Sequence, residues 1–289
     1  MAHIFISIIS FCLLPVFLGG IIRKVRSRAQ GRKGPPVLQN FYDILRPFGK
    51  EPIDGFSSGI FSEIAPVTAF FSAVILWSLV CFEWGSFILI PSFLLLQRFC
   101  VMAFAMETGT SFGGLGTKRE ILLSITTEPI LFLMILVAES HLQVEPSFTI
   151  IATGLIFLVV SGIAILVELT KPPFDDPRTH LELTMVHEAM ILEASGKSLA
   201  YFEAANQVKI AALLAFLVKL GIKHSKFMIP QEMIEGVEMV YVSVGTIFFA
   251  GVIGWWESVS VRRKWVWIPE IMGLTFLFIL LLGTLVKLK

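Results

Sequence analysis

Residues 168–196 read ELTKPPFDDPRTHLELTMVHEAMILEASG and separate two long apolar segments. Acids, histidines and prolines crowd into this stretch, in a chain that is 55% hydrophobic. So polar a segment between membrane-length helices is costly unless it faces water, a partner or an ion path. Pro172, Pro173 and Pro177 stop the preceding helix, because proline lacks the amide donor and clashes with the turn before it. Asp176 as N-cap, Pro177 at the first helical position and Ser195-Gly196 as a stop then predict a second helix. Roughly 18 residues give it a length of about 27 Å. Arg178, Glu182 and Glu193 share one face, and His180 and His187 lie nearly opposite. Apolar residues fill the remaining positions all round, so this acidic helix is expected to be buried.

Working outward, 289 residues at a mean hydropathy of +0.81 are too apolar for a soluble fold. The chain reads as one all-α integral membrane domain over residues 1–289, a polytopic bundle with eight spans. They are placed near residues 3–22, 62–82, 85–106, 118–139, 147–170, 203–221, 236–256 and 267–287. No secretory leader pattern precedes the first, which is read as a retained helix. Lysine and arginine accumulate in alternate loops: Arg23 to Lys50, Lys118 and Arg119, Lys171 to Lys197, and Arg262 to Lys264. Positive loops stay on the cytoplasmic side, so both termini are expected outside and residues 168–196 at the inner surface of the cell membrane. Lys219 falls with the outer cations, and Arg98 and Lys209 fall within spans.

The first inner loop, residues 23–61, breaks at Gly34-Pro35-Pro36 and continues as VLQNFYDILRPFG with helical apolar spacing. That predicts a short basic helix in the membrane interface. Positive loops are ordinary beside membrane helices, so nucleic acid is not expected as a partner. The inner loop ETGTSFGGLGTKRE, from Glu107, has neither Walker spacing nor a strand before it, which argues against a nucleotide site. Glu120, Ser124, Thr127 and Glu128 form a polar stripe on the fourth span, and Pro129 is expected to free the carbonyl of Ile125. Arg98 and Glu128 lie about 12 and 15 Å from the inner ends of neighbouring spans. An arginine at that depth needs a counter-charge, so Arg98 is expected to be neutralised by Glu128 or Glu168. Glu257 is placed to pair with Arg262 or Arg263 at the inner end of the seventh span.

Cys12, Cys81 and Cys100 have no paired spacing, so neither disulfides nor a cysteine-bound cluster is expected. His187 and Glu188 lack the second histidine of a zinc-protease helix, since position 191 is isoleucine, and no metal site is expected. Nor does any nucleophile, base and acid set appear, so this chain alone holds no catalytic residues. What remains is a series of intramembrane and inner-face charges: Arg98, Glu107, Glu128, Glu168, Lys171, Asp175, Asp176, Glu182, Glu188, Glu193 and Glu203. Such series mark ion or proton routes, with His180 and His187 as candidate relays.

At these residues the sequence resembles the heel membrane subunit shared by respiratory complex I and the energy-converting, membrane-bound [NiFe]-hydrogenases, including formate hydrogenlyase. The resemblance covers nearly the whole chain and rests on four parts. They are the Arg32 region through Gly34-Pro35, Gln39 and Asp43; the ETGTSFGGLGTKRE stretch with Glu128-Pro129; the run from Glu168 to Asp175; and the ending at Gly196. It resembles the hydrogenase branch more closely, because Arg178 and His180 stand where the complex I form carries two glutamates. The resemblance implies eight spans and an outward N-terminus. It also implies a peripheral arm of hydrogenase-type large and small subunits, docked near Arg32, Gln39, Asp43 and Arg178, and antiporter-like membrane subunits alongside. A [NiFe] centre and iron–sulfur clusters are expected in those partners and no cofactor in this chain, with proton or sodium translocation as the output. A quinone- or sulfur-reducing relative with the same heel position is the near alternative. A stand-alone ion transporter or a passive anchor would be a different class.

Overall fold

The computed structural model describes residues 2–51, 53, 59–139, 148–175, 185–225, 238–261, 265 and 267–287. Asp176, Arg178, His180, Glu182 and the cluster Arg262 to Lys264 lie outside the described residues. Among those described the chain is all-helical: α1 (Ala2–Ala29), α2 (Gln39–Phe48), α3 (Ile60–Phe82), α4 (Leu89–Glu107), α5 (Ser111–Glu139), α6 (Phe148–Glu168), α7 (His187–Met190), α8 (Gly196–Ser225), α9 (Glu238–Val259) and α10 (Trp267–Lys287). Seven of these are long and apolar enough to cross a membrane. The apolar stretch Thr153–Glu168 of α6 is shorter, and α6 takes the place of the remaining expected span. Large apolar side chains such as Phe71, Phe99, Phe248 and Leu281 are exposed around the bundle, as a lipid-facing or subunit-facing surface requires. The chain is a multi-pass membrane protein.

α8 is the centre. Every residue from Ile210 to Leu220 is buried, and a helix that is closed on all sides must be surrounded by others. α3 packs along it most extensively, α4 backs α3, and α1 pairs with α9. Gly254 lets α9 close onto the α1 backbone, because an added methyl would lie 2.7 Å from the carbonyl oxygen of Ile22. Pro15 sits inside α1 and cannot donate an amide, which leaves the Phe11 carbonyl without its helical partner. Trp77 Nε1 of α3 donates to that oxygen at 2.9 Å, so a proline defect becomes a cross-helix tie. The Ser10 and Ser243 hydroxyls, 3.0 Å apart, tie α1 to α9.

Two boundaries differ from expectation in ways that matter for the site. α1 runs about two turns beyond the expected span end, so Arg23 and Arg26 belong to a helix rather than a loop. The glycine-rich stretch is mostly helix as well. Only a turn at Thr108–Thr110 precedes α5, which begins at Ser111 and runs on through Pro129. α2 is the short helix expected after the prolines, with Phe41, Tyr42 and Leu45 exposed and Asn40 turned into the protein.

Replacing Trp77 with phenylalanine leaves the Phe11 carbonyl unpaired in a dry interior and is expected to cost about 1–3 kcal/mol. Thermal denaturation of the detergent-solubilised protein checks this. In a Pro15→Ala background, where the helix restores its own hydrogen bond, most of that loss should disappear.

Candidate functional site

Arg98 of α4 is 5% exposed, and its guanidinium meets two carboxylates from different helices. Glu120 Oε1 of α5 lies 3.1 Å from Nε, and Glu168 Oε1 at the end of α6 lies 2.9 Å from Nη2. Both acids are buried. Lys209 is buried on α8 within electrostatic reach of Glu168 and Glu120. Two cations and two carboxylates therefore share one interior cluster. Glu168 fills the expected place as a contact partner of Arg98, and Glu128 makes no ion pair with it among the described residues but lies within electrostatic reach. It sits about two turns further along α5 than Glu120, half-buried, and accepts a hydrogen bond from Ser124. Glu120 is the nearer end of the same stripe, and its depth rather than that of Glu128 matches Arg98.

Just beyond Glu168 the chain reverses. Thr170 adopts a left-handed conformation (φ 51°), and the Lys171 amide returns to the Leu166 carbonyl at 3.0 Å. The reversal turns Lys171 to the other side of the segment, where its Nζ lies 2.7 Å from Glu257 Oε1 of α9. Arg26 of α1 approaches the second oxygen of Glu257 at 2.9 Å. Glu257 therefore joins α1, α9 and the segment after α6, and Trp256 Nε1 adds a hydrogen bond to the Pro172 carbonyl at 2.8 Å. The expected partners Arg262 and Arg263 lie outside the described residues.

The long acidic helix expected after Asp176 is not continuous. Met185 and Val186 are non-helical, α7 spans only His187–Met190, and Gly196 opens α8 instead of closing a helix. Asp175 explains the interruption. Its buried carboxylate accepts the amides of Val186 (3.2 Å) and His187 (3.1 Å), and so caps α7 from 11 and 12 residues upstream. Arg119 Nη1 holds the Met185 carbonyl at 3.2 Å from the other side. Gly116 permits the close packing of α5 on this turn, since a methyl there would lie 2.9 Å from the Val186 carbonyl oxygen.

Between α1, α2, the segments 169–175 and 187–188, α8 and α9 lies a cavity of about 530 Å³. Arg23, Arg26, Lys171, Asp175, Glu188, Glu203 and Glu257 line it with charge, and Asn40, Asn206, Gln207 and His187 add neutral polar groups. His187 lines the cavity and lies within the fields of Lys209, Lys171 and Arg98. Burial, with those three cations, pushes its imidazole down to about 3, so it is neutral at physiological pH.

The structure brings together Lys171, Asp175, His187, Glu188 and Glu203 at this cavity, and Arg98 with Glu168 beside it. Other expected site residues lie elsewhere. Glu107 accepts the Phe61 amide at the start of α3 (3.2 Å), Glu193 is exposed, and Arg32 is exposed. Gln39 donates to Asp43 at 2.8 Å, and Arg23 holds the same carboxylate at 3.1 Å, so this pair anchors α2 to α1. Lys219, expected among the outer cations at the end of the sixth span, is buried in α8 and paired with Glu83 at 2.5 Å. Sequence reasoning left Arg23, Arg26, Asn40, Glu120, Asn206, Gln207 and Glu257 out of the site. The signal for two of them was present, because Gly19, Ile22, Arg23 and Arg26 follow helical spacing and continue one face of α1 past its apolar part.

A family profile described as NADH dehydrogenase matches residues 2–288. The chain belongs to this family. Among curated relatives, hydrogenase-4 component C of Escherichia coli (strain K12) is 28% identical over 232 residues, covering 74% of this chain and 72% of the relative. Formate hydrogenlyase subunit 4 of the same organism is 24% identical over 235 residues, covering 73% and 74%. A chain of the membrane-bound sulfane sulfur reductase, described as an archaeal respiratory membrane complex, matches with a TM-score of 0.73 at 16% identity. It covers 99% of this chain and 100% of the other, which shows that the two share a fold.

Replacing Arg98 with leucine leaves Glu120 and Glu168 buried without their closest counter-charge. The change is expected to cost about 3–5 kcal/mol and to deplete the protein from membranes, as measured by immunoblot. Stability should also fall with pH. His187 takes up a proton near pH 6.5 when unfolded but only near 3 when folded, so between those values the unfolded chain binds more protons. Each unit of acidification in that window is expected to destabilise the protein by up to about 1.4 kcal/mol. A His187→Gln variant should show a flatter dependence of thermal midpoint on pH between 7 and 5.

Proposed function

We propose that this chain is the membrane heel of a redox-driven proton or sodium pump. In this reading a peripheral arm of [NiFe]-hydrogenase type docks at its inner face and antiporter-like subunits lie beside it in the membrane. The observation that carries the reading is the buried cluster of Arg98, Glu120, Glu168 and Lys209 beside a charged inner-face cavity. A passive anchor has no use for so many intramembrane charges, whose burial is costly. Arg98 and Lys209 face Glu120 and Glu168 with the charge of Glu128 also within reach, so one proton gained or lost, or one charge moved at the inner face, alters the cluster as a unit. The segment 168–188 supports coupling in both directions, because it supplies Glu168 to the cluster and Lys171, Asp175, His187 and Glu188 to the cavity. Redox change in the arm would act on this segment, and the stripe Glu120, Ser124 and Glu128 would pass the proton toward the neighbouring subunits.

The names of the curated relatives, a hydrogenase-4 component and a formate hydrogenlyase subunit, support the hydrogenase-type arm. Nickel, iron and iron–sulfur centres belong, in this proposal, to the partner subunits. Both termini are proposed to face outward, with the cavity at the cytoplasmic side of the cell membrane.

Metal analysis of the complex that copurifies with the tagged chain in mild detergent tests the reading. Nickel with several irons is expected. Iron without nickel would transfer the proposal to a quinone- or sulfur-reducing arm, and a metal-free lone chain would overturn it. In reconstituted vesicles, Glu128→Gln should keep assembly and electron transfer while losing ion translocation.

A further inference from the structure

Charges at membrane depth need partners, and one of them is not enclosed by this chain. Arg98, Glu120 and Lys209 are all buried between helices. Glu128 is only half-buried, although it lies about 15 Å along α5 from Lys118 and about as far from the other end of the helix at Glu139. Ser124 of the same helix donates to its Oε1, and among the described residues no cation pairs with it. At about 100° per residue, Ile121, Ile125 and Phe132 fall within about 60° of Glu128 around α5. These three are 42%, 64% and 37% exposed, so the carboxylate sits at the edge of an outward face.

A second acceptor opens onto the same face. Pro129 has no amide to return to the Ile125 carbonyl, so that oxygen lacks its usual helical donor. Both Ile125 and Pro129 are exposed. Hydrocarbon offers no donor to a carboxylate or to a backbone carbonyl, and at membrane depth such groups sit against protein or water instead. The outward face of α9 makes the contrast. Phe248 is 65% exposed there, with neither a charge nor a proline within two turns, as lipid permits.

We infer that the outward face of α5 around Glu128 is covered by a transmembrane helix of a neighbouring membrane subunit, which presents a hydrogen-bond donor to the Glu128 carboxylate. The occupant follows from complementarity. Two acceptors inside the bilayer require a hydroxyl, amide or ammonium group, and lipid tails have none. Ile121, Ile125 and Phe132 supply the apolar surface against which a second helix packs. A second copy of this chain meeting α5 through a two-fold axis would set carboxylate against carboxylate, which like-charge repulsion disfavours. The inference rests on the reading of this chain as one subunit of a membrane complex. It adds which face meets the next subunit and what chemistry the partner brings to it.

Photocrosslinking in the purified complex tests it, with benzoylphenylalanine in place of Ile125 and mass spectrometry of the adduct. The expected product joins α5 to a membrane helix of a different subunit that carries a side-chain donor within one turn of the crosslinked residue. Lipid adducts alone in an intact complex would overturn the inference, as would a crosslink to a second copy of this chain or to a helix without such a donor. A chain that purifies alone would overturn the heel reading and this inference together, and purification reveals that before irradiation. A pair of variants tests the donor separately. Glu128→Gln still offers an acceptor, whereas Glu128→Leu leaves the partner's donor unmet. At limiting concentration Glu128→Leu should lower the share of the neighbouring subunit that copurifies about tenfold relative to Glu128→Gln. Equal retention in the two variants would overturn the assignment of a donor to Glu128.

Discussion

A guanidinium cannot escape its charge by losing a proton, and this one is buried in a membrane helix. Arg98 therefore dictates what must surround it. Glu120 from α5 and Glu168 from α6 supply the counter-charge at 3.1 and 2.9 Å, and with them those two helices are drawn in beside α4. Lys209 of α8 adds a second buried cation, which the two carboxylates offset through the low-dielectric interior. Removing one member leaves the others exposed to the full desolvation penalty, so the four groups stand or fall together.

Glu257 plays the same part for the other side of the molecule. With Arg26 and Lys171 it joins α1, α9 and the chain after α6. Only two residues separate Glu168 in one cluster from Lys171 in the other, and the left-handed turn at Thr170 sends them to opposite sides. The cavity lies on the Lys171 side of this turn and is also lined by residues of α2 and α8. His187, kept neutral by its burial and then by the cations around it, lines the cavity within the field of Arg98 without adding charge. A short segment thus touches both charge clusters, and displacement of it would be felt by both.

Much of this architecture was readable from residues 168–196 and the hydropathy around them. Apolar runs long enough to cross a bilayer announced the helices, because backbone groups in lipid must bond within their own segment. The three prolines announced the reversal after α6, and the depth of Arg98 demanded a buried acid. The Gln39 and Asp43 motif did mark a contact, although that contact is with Arg23 inside the chain. The acidic helix was read too long because helical spacing of Glu182, Glu193 and the histidines said nothing about Asp175, whose carboxylate takes the amides that a continuous helix would have used itself.

The sequence by itself determined that this is a helical membrane protein with charges it cannot leave in lipid, since length, hydropathy and proline chemistry act locally. Which carboxylate meets which cation was decided only by the tertiary structure. Glu120 and Glu128 lie on one stripe of one helix, and a linear reading offers Arg262 or Arg263 as neighbours of Glu257 but not Arg26, which the structure places there. Partners more than 200 residues apart, such as Arg26 and Glu257, become neighbours through the close approach of α1 and α9 at Gly254. Ion pairing is set by distances of a few ångströms between helices, and the periodicity of one helix carries no information about the rotation of the next.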